Sequence, residues 1–188
     1  MYLPNTYEFF WNTSALKFRE KMWKSYKKFW TKARVKKANE IGLNPKNVIS
    51  LASVVQKESQ KSDEQPRVAG VYINRLNRKM KLQADPTIQY IIDGPPRRLL
   101  NKDLKIESPY NTYLNYCLPP GPINNPGRES IVAALYPSEN EYLYFVARGD
   151  GYHTFTDNEK DHNKAKRKFQ EVRRKVKQNK KNITSEGK

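Results

Sequence analysis

The sequence predicts an α+β fold that is mostly helical, with helices packed beside a small antiparallel β-hairpin and a long loop rich in proline and tyrosine. Three patterns predict it. Apolar residues recur at three- and four-residue spacing through much of residues 14–92, the period of helices with one buried face. Two runs, 142–147 and 152–155, are rich in Tyr, Phe, Val and Thr and flank Gly149-Asp150-Gly151, the signature of a hairpin. Between these regions, residues 94–127 carry Pro, Asn and Tyr with neither period. At roughly 30 residues that stretch is too long for an idle connector, and its tyrosines argue against disorder.

The elements follow in order. Leu3-Pro4-Asn5-Thr6-Tyr7 reads as an extended lead-in. Ser14 is an N-cap for one helix whose apolar stripe is Leu16, Trp23, Tyr26, Phe29, Trp30 and Ala33, with lysines on the solvated face and Gly42 as its stop. Asn44-Pro45 starts a second helix, largely buried through Val48, Leu51, Ala52, Val54 and Val55. Asp63 is the expected cap of a third, with Pro66 in its first turn and Val68, Val71, Tyr72 and Leu76 inward. Asp85-Pro86 opens a fourth through about Ile92, with Asp85 as cap, and Asp93-Gly94-Pro95-Pro96 ends it. Pro126-Gly127 leads to a helix over residues 129–135. After the hairpin, Thr156 or Asp157 caps a lysine-rich helix to about residue 178, and a polar tail follows.

Composition narrows the function classes. The chain has 188 residues, 37% hydrophobic, with 12 Tyr, 7 Phe and 3 Trp, enough for one domain with a real core under a charged surface. No stretch approaches the roughly 18 apolar residues of a membrane span. Cys117 is the single cysteine and His153 and His162 are the two histidines, so neither a disulfide framework nor a metal site is expected. The net charge of +17 suggests nucleic acid at first. Its distribution argues otherwise: residues 17–37 carry +9, residues 160–188 carry +9, and residues 38–159 hold fourteen charges of each sign. The basicity belongs to two terminal segments, and the unusual residues lie in the neutral middle.

The sharpest of these is Glu58. Its i−3, i−4 and i−7 neighbours are Val55, Val54 and Leu51, so it projects from the apolar stripe of the second helix. A carboxyl withdrawn from water has its ionised form disfavoured and its pKa raised, as a general acid near neutral pH requires. A buried glutamate paired with Lys or Arg fits the same pattern, and on helical phase alone that reading comes first. Leu82-Gln83-Ala84-Asp85-Pro86-Thr87 is explained equally by a cap and a helix start. Ser108-Pro109-Tyr110-Asn111-Thr112-Tyr113, followed by Leu118-Pro119-Pro120-Gly121-Pro122, suits a sugar: aromatic faces meet the ring's C–H surface while amides and hydroxyls bond its oxygens. A loop packed by its own tyrosines is the alternative. His153, on the hairpin, is as a lone strand histidine more often structural than catalytic.

The order of these motifs is more specific than any one of them. Residues 51–58, LASVVQKE, and 68–76, VAGVYINRL, resemble the central block of the MltG (YceG-like) endolytic murein transglycosylases. The similarity continues through Leu82-Gln83-Ala84-Asp85-Pro86-Thr87, Tyr110-Asn111-Thr112-Tyr113, Leu118-Pro119-Pro120-Gly121-Pro122-Ile123, Tyr142-Leu143-Tyr144-Phe145-Val146, His153-Thr154-Phe155 and His162-Asn163, and covers about residues 3–170. Gln56 and Ser59 depart from it where an acid and Thr are common, as do Lys79 and Lys81, where Gly and Pro would be less surprising.

The resemblance implies that Glu58 is catalytic, in a domain spanning residues 1–178 with a flexible tail over 179–188. It implies cleavage of the β-1,4 bond between N-acetylmuramic acid and N-acetylglucosamine, leaving a 1,6-anhydro end. Gln83, Asp85, Tyr110, Asn111, Thr112, Tyr113 and His153 are the expected substrate-binding residues; no metal and no cofactor are expected. It further implies a full-length protein with an N-terminal membrane anchor and a LysM-like subdomain, neither within these residues, acting on glycan strands on the outer side of the bacterial cytoplasmic membrane. Cell-wall synthases are candidate partners, nucleic acid is not, and the basic helices are expected at most to touch a membrane surface. The competing readings are a muramidase that uses water and a basic glycan- or nucleic-acid-binding module.

Overall fold

A computed structural model describes the backbone of residues 2–186 and the side chains of residues 2–174. The chain divides into two compact units, Met1–Glu139 and Asn140–Lys188. The first holds α1 (Ala15–Phe29), α2 (Lys32–Glu40), α3 (Pro45–Glu58), α4 (Gln65–Asn77), α5 (Asp85–Ile91), a short 3-10 turn (Asp103–Lys105) and α6 (Arg128–Leu135). The second holds β1 (Tyr144–Ala147), β2 (His153–Thr156) and α7 (Glu159–Glu186). The predicted class, helices with a small antiparallel hairpin, is what the chain adopts.

Helix α3 is the axis of the first unit. Asn44 accepts from the Asn47 N–H at 2.9 Å and Pro45 fixes the first turn. From Val48 to Val55 every residue is buried, because α2, α4, α5 and α6 all pack against this helix. A helix enclosed on all sides must satisfy its own polar side chains. Ser53 Oγ donates to the Ser50 carbonyl and accepts from the Ile123 N–H at 3.0 Å, while the Ser53 carbonyl accepts from Asn124 at 3.1 Å. Gln56 Oε1 accepts from the Gly127 N–H at 2.8 Å. These bonds fasten the end of the long loop to the buried helix.

Five predicted boundaries move. The single helix expected from Ser14 to Gly42 is two, because Thr31 accepts from the Arg34 N–H at 3.3 Å and caps a new helix after Trp30. Its expected stripe is also not buried along its length: of α1 only Met22 and Phe29 are, and Leu16 and Trp23 face solvent. Gly42 does stop α2, with φ at 74° and Leu43 N–H bonded to the Ala38 carbonyl. Glu64, not Asp63, occupies the cap position of α4. Asp85 is the first helical residue of α5 and Ala84 its cap, so the Asp85 carboxylate is not used for capping. Helix α7 is capped by Asn158, which accepts from the Asp161 N–H at 2.9 Å, and it runs to Glu186 because no Gly or Pro interrupts it before Gly187. Of the expected tail over 179–188, residues 187 and 188 lie outside the described residues.

In the second unit, Tyr144 pairs with Thr156 and Ala147 with His153, and α7 packs on both strands. Gly149 (φ 101°) and Gly151 (φ 89°) make the turn, and Asp150 within it accepts from Arg148 at 2.6 Å and from the Tyr152 N–H at 3.0 Å.

Candidate active site

Glu58 is the last residue of α3, at the negative end of the helix dipole. Its side chain keeps some exposed surface, but its carboxyl is largely desolvated by the packed helices. That desolvation pushes its pKa from 4.5 up to about 7. The Tyr72 hydroxyl, which donates to Oε1 at 2.8 Å, pulls the other way, the Asp85 charge adds to the rise, and Arg75 offsets part of it. The group is therefore close to half protonated at neutral pH, able to give a proton and to take one back.

Tyr72 and Arg75 come from α4, three residues apart and so on one face. Both are buried. Burial and the Glu58 charge drive the Tyr72 phenol upward, so it stays a donor. The Arg75 guanidinium donates to the carbonyls of Lys81 (3.2 Å) and Leu82 (2.7 Å), which anchors the loop leading to Asp85. Asp85 is exposed, and its Oδ1 accepts from the Tyr113 hydroxyl at 2.5 Å. Burial, followed by Asp85 and Glu58, raises the Tyr113 pKa. Glu58, Tyr72, Arg75, Asp85 and Tyr113 thus form one electrostatic group contributed by α3, α4, α5 and the long loop.

Two expected contact residues make their hydrogen bonds within the fold. Asn111 is fully buried; its amide donates to the carbonyls of Leu104 (3.1 Å) and Ile106 (2.7 Å), and its oxygen accepts from the Tyr113 N–H at 2.8 Å. Thr112, also buried, accepts through Oγ1 from the Ala84 N–H at 2.9 Å and lies 2.9 Å from Thr87 Oγ1, and its carbonyl accepts from the Gln83 N–H. These bonds tie the loop to the start of α5 and to the 3-10 turn. Gln83 is exposed and holds a left-handed backbone, φ 50°. Tyr110 is half-buried against Tyr90, ring centroids 4.9 Å apart. His153 belongs to the second unit, where its ring meets Phe145 edge-on at 5.3 Å.

Sequence reasoning placed Tyr72 in the core and did not single out Arg75. The available signal was an arginine and a tyrosine on the buried face of α4, where a charge needs a partner. A separate polar pocket of about 630 Å³ opens on the Gln56–Lys57 side of the same helix end, between Gln60, Gln65 and Arg128, and Glu58 does not line it.

Helices enclosing a buried axis, with a carboxyl of raised pKa at its end, make up the first unit. Residues 1–168 match the model of the YceG-like family. The chain is 44% identical over 133 residues to the endolytic murein transglycosylase of Bacillus subtilis, covering 71% of this chain and 36% of that protein. It is 34% identical over 128 residues to the protein of that name in Streptococcus pneumoniae, covering 65% and 23%. A crystal structure of a YceG-like protein from Listeria monocytogenes superposes with a TM-score of 0.73 at 36% identity, over 86% of this chain and 52% of that one. The chain belongs to the YceG-like family. It spans about a third or less of the length of these curated relatives.

Proposed function

We propose that this chain carries the catalytic domain of an endolytic lytic transglycosylase acting on peptidoglycan strands outside the cytoplasmic membrane. The observation that carries the reading is the Glu58 carboxyl held at about 7 beside the Tyr72 hydroxyl. Such a group does the two things this reaction needs. Protonated, Glu58 gives its proton to the leaving O4 of the bond between N-acetylmuramic acid and N-acetylglucosamine. Ionised, it takes the proton from the C6 hydroxyl of the same muramyl residue, whose oxygen closes on C1 to leave a 1,6-anhydro end. The nucleophile is carried by the sugar, so attack is intramolecular and no second carboxylate is required.

Tyr72 steadies the carboxylate form by its hydrogen bond, and Asp85 with Tyr113 offers an acceptor and an aromatic edge to the sugar. Gln83 and Tyr110 lie on the same two loops and supply further contacts. Asn111 and Thr112 are positioning residues that hold those loops. Asp85 also gives a rival its footing. An exposed carboxylate electrostatically linked to Glu58 is what a hydrolase would use to activate water.

Turnover of uncrosslinked glycan strands by wild type and Glu58→Gln tests the assignment of the acid. The expected result is a loss on the order of 100- to 10,000-fold in the variant with its fold unchanged. Activity retained in Glu58→Gln removes Glu58 from the mechanism.

A further inference from the structure

In the first unit several large apolar side chains on α1 and the segment before it stay exposed. Trp11 is 97% exposed and Phe10 85%, and on α1 Leu16 and Trp23, seven residues apart and so on one face, are 55% and 51% exposed. Phe18 is exposed as well, and its ring meets those of Tyr2 at 5.7 Å and Phe9 at 5.2 Å. Single exposed aromatics are ordinary, but two adjacent aromatics as exposed as Phe10 and Trp11 suit a contact with another surface. Among the described residues α1 makes no extensive contact with any other helix or strand.

The charge around these side chains says what kind of contact. Lys17, Arg19, Lys21, Lys24, Lys27 and Lys28 all stand on α1, against Glu20 as its one acid. The Lys21 ammonium sits 4.4 Å from the centre of the Phe9 ring, and that of Lys27 5.3 Å from Trp23. Two of these lysines thus lay their stems along aromatic rings and keep their charges at the surface. An apolar protein partner would cover the rings and offer no anion to the α1 cations. A bilayer surface with anionic headgroups answers both, since aromatic rings settle at the headgroup–acyl boundary and cations pair with phosphate.

We propose that the segment before α1 and α1 itself form a peripheral contact surface for anionic phospholipid, with Phe10 and Trp11 entering the interface and the α1 cations holding the headgroups. This stands apart from the catalytic reading and does not depend on it.

Co-sedimentation of the full chain with phosphatidylcholine vesicles, with and without phosphatidylglycerol, tests it. Binding is expected to require phosphatidylglycerol and to weaken as salt rises. Phe10→Ser/Trp11→Ser leaves the net charge unchanged and is expected to weaken binding about tenfold or more. Lys17→Gln/Lys24→Gln/Lys28→Gln is expected to weaken it about fivefold per charge. Both sets lie at exposed positions, so circular dichroism and the thermal midpoint are expected to stay as in wild type. Vesicle binding unchanged in both variants would assign it to cations elsewhere, such as those of α7, and overturn the proposal. So would equal binding to phosphatidylcholine alone. A dimer in sedimentation velocity that the Phe10/Trp11 variant dissolves, with vesicle binding unaffected, would overturn it in favour of a second copy of the chain.

Discussion

At the scale of residues, a carboxyl at the last turn of an enclosed helix is opposed by its surroundings: the dipole end, the desolvating valines and a neighbouring carboxylate all resist its charge. Glu58 titrates near 4.5 in an unfolded chain and at about 7 in the fold. Between those values the folded protein keeps a proton that the unfolded chain has lost, so stability falls as pH rises through that window. Glu58→Gln has no such titration. It is expected to be more stable than wild type by on the order of 1–3 kcal/mol near pH 8, with the difference vanishing near pH 4. Denaturant unfolding at the two pH values measures it, and equal stability at both would mean that the carboxyl is not withdrawn from water. The neighbours shift the same equilibrium in opposite senses. Tyr72→Phe removes a hydrogen bond that favours the carboxylate and is expected to move the high-pH fall of activity upward; Asp85→Asn removes a repelling charge and is expected to move it downward. A pH profile of kcat/KM reads both.

At the scale of elements, the loops around Glu58 are held in conformations that sequence alone does not favour. Lys79 sits at φ 53°, in the position after the α4 cap where the Met80 N–H bonds back to the Arg75 carbonyl. Glycine takes that conformation without strain, so Lys79→Gly is expected to raise stability by about 0.5–1 kcal/mol, seen as a higher thermal midpoint. Thr112→Val removes the acceptor of the Ala84 N–H and the partner of Thr87, and is expected to cost about 1–3 kcal/mol. Because the same bonds hold Asp85 and Tyr113 in place, its KM is expected to rise while the Glu58→Gln pattern of abolished turnover is absent. Here the limits of sequence reading are physical. Asn44-Pro45 and Gly42 are local signals and mark their boundaries directly. The break at Trp30–Thr31 depends on a threonine choosing to cap, which its neighbours do not announce. Asn111 and Thr112 have the chemistry of sugar ligands, and only the packing of the loop turns their polar groups inward.

At the scale of the whole molecule, the withdrawn carboxyl was legible as a phase anomaly, because one charged residue on the stripe Leu51, Val54 and Val55 stands out in a helical reading, although phase alone did not give it a role. Its partners were not, because Tyr72 and Arg75 reach it from another helix and only the tertiary fold brings α4 beside α3. The same distinction applies to charge. The +17 total says little, whereas its confinement to residues 17–37 and 160–188 separates two basic segments of sequence from the neutral stretch that carries Glu58. That separation makes reaction and surface binding independently testable: salt is expected to weaken vesicle association steeply and to leave the turnover of short uncrosslinked strands little changed. In the proposed reaction one carboxyl suffices because the sugar supplies the nucleophile. Mass spectrometry of the products from uncrosslinked glycan strands tests it most directly. New ends lighter by one water than reducing ends are expected from wild type and not from Glu58→Gln; reducing ends, or anhydro ends still formed by Glu58→Gln, would contradict that mechanism.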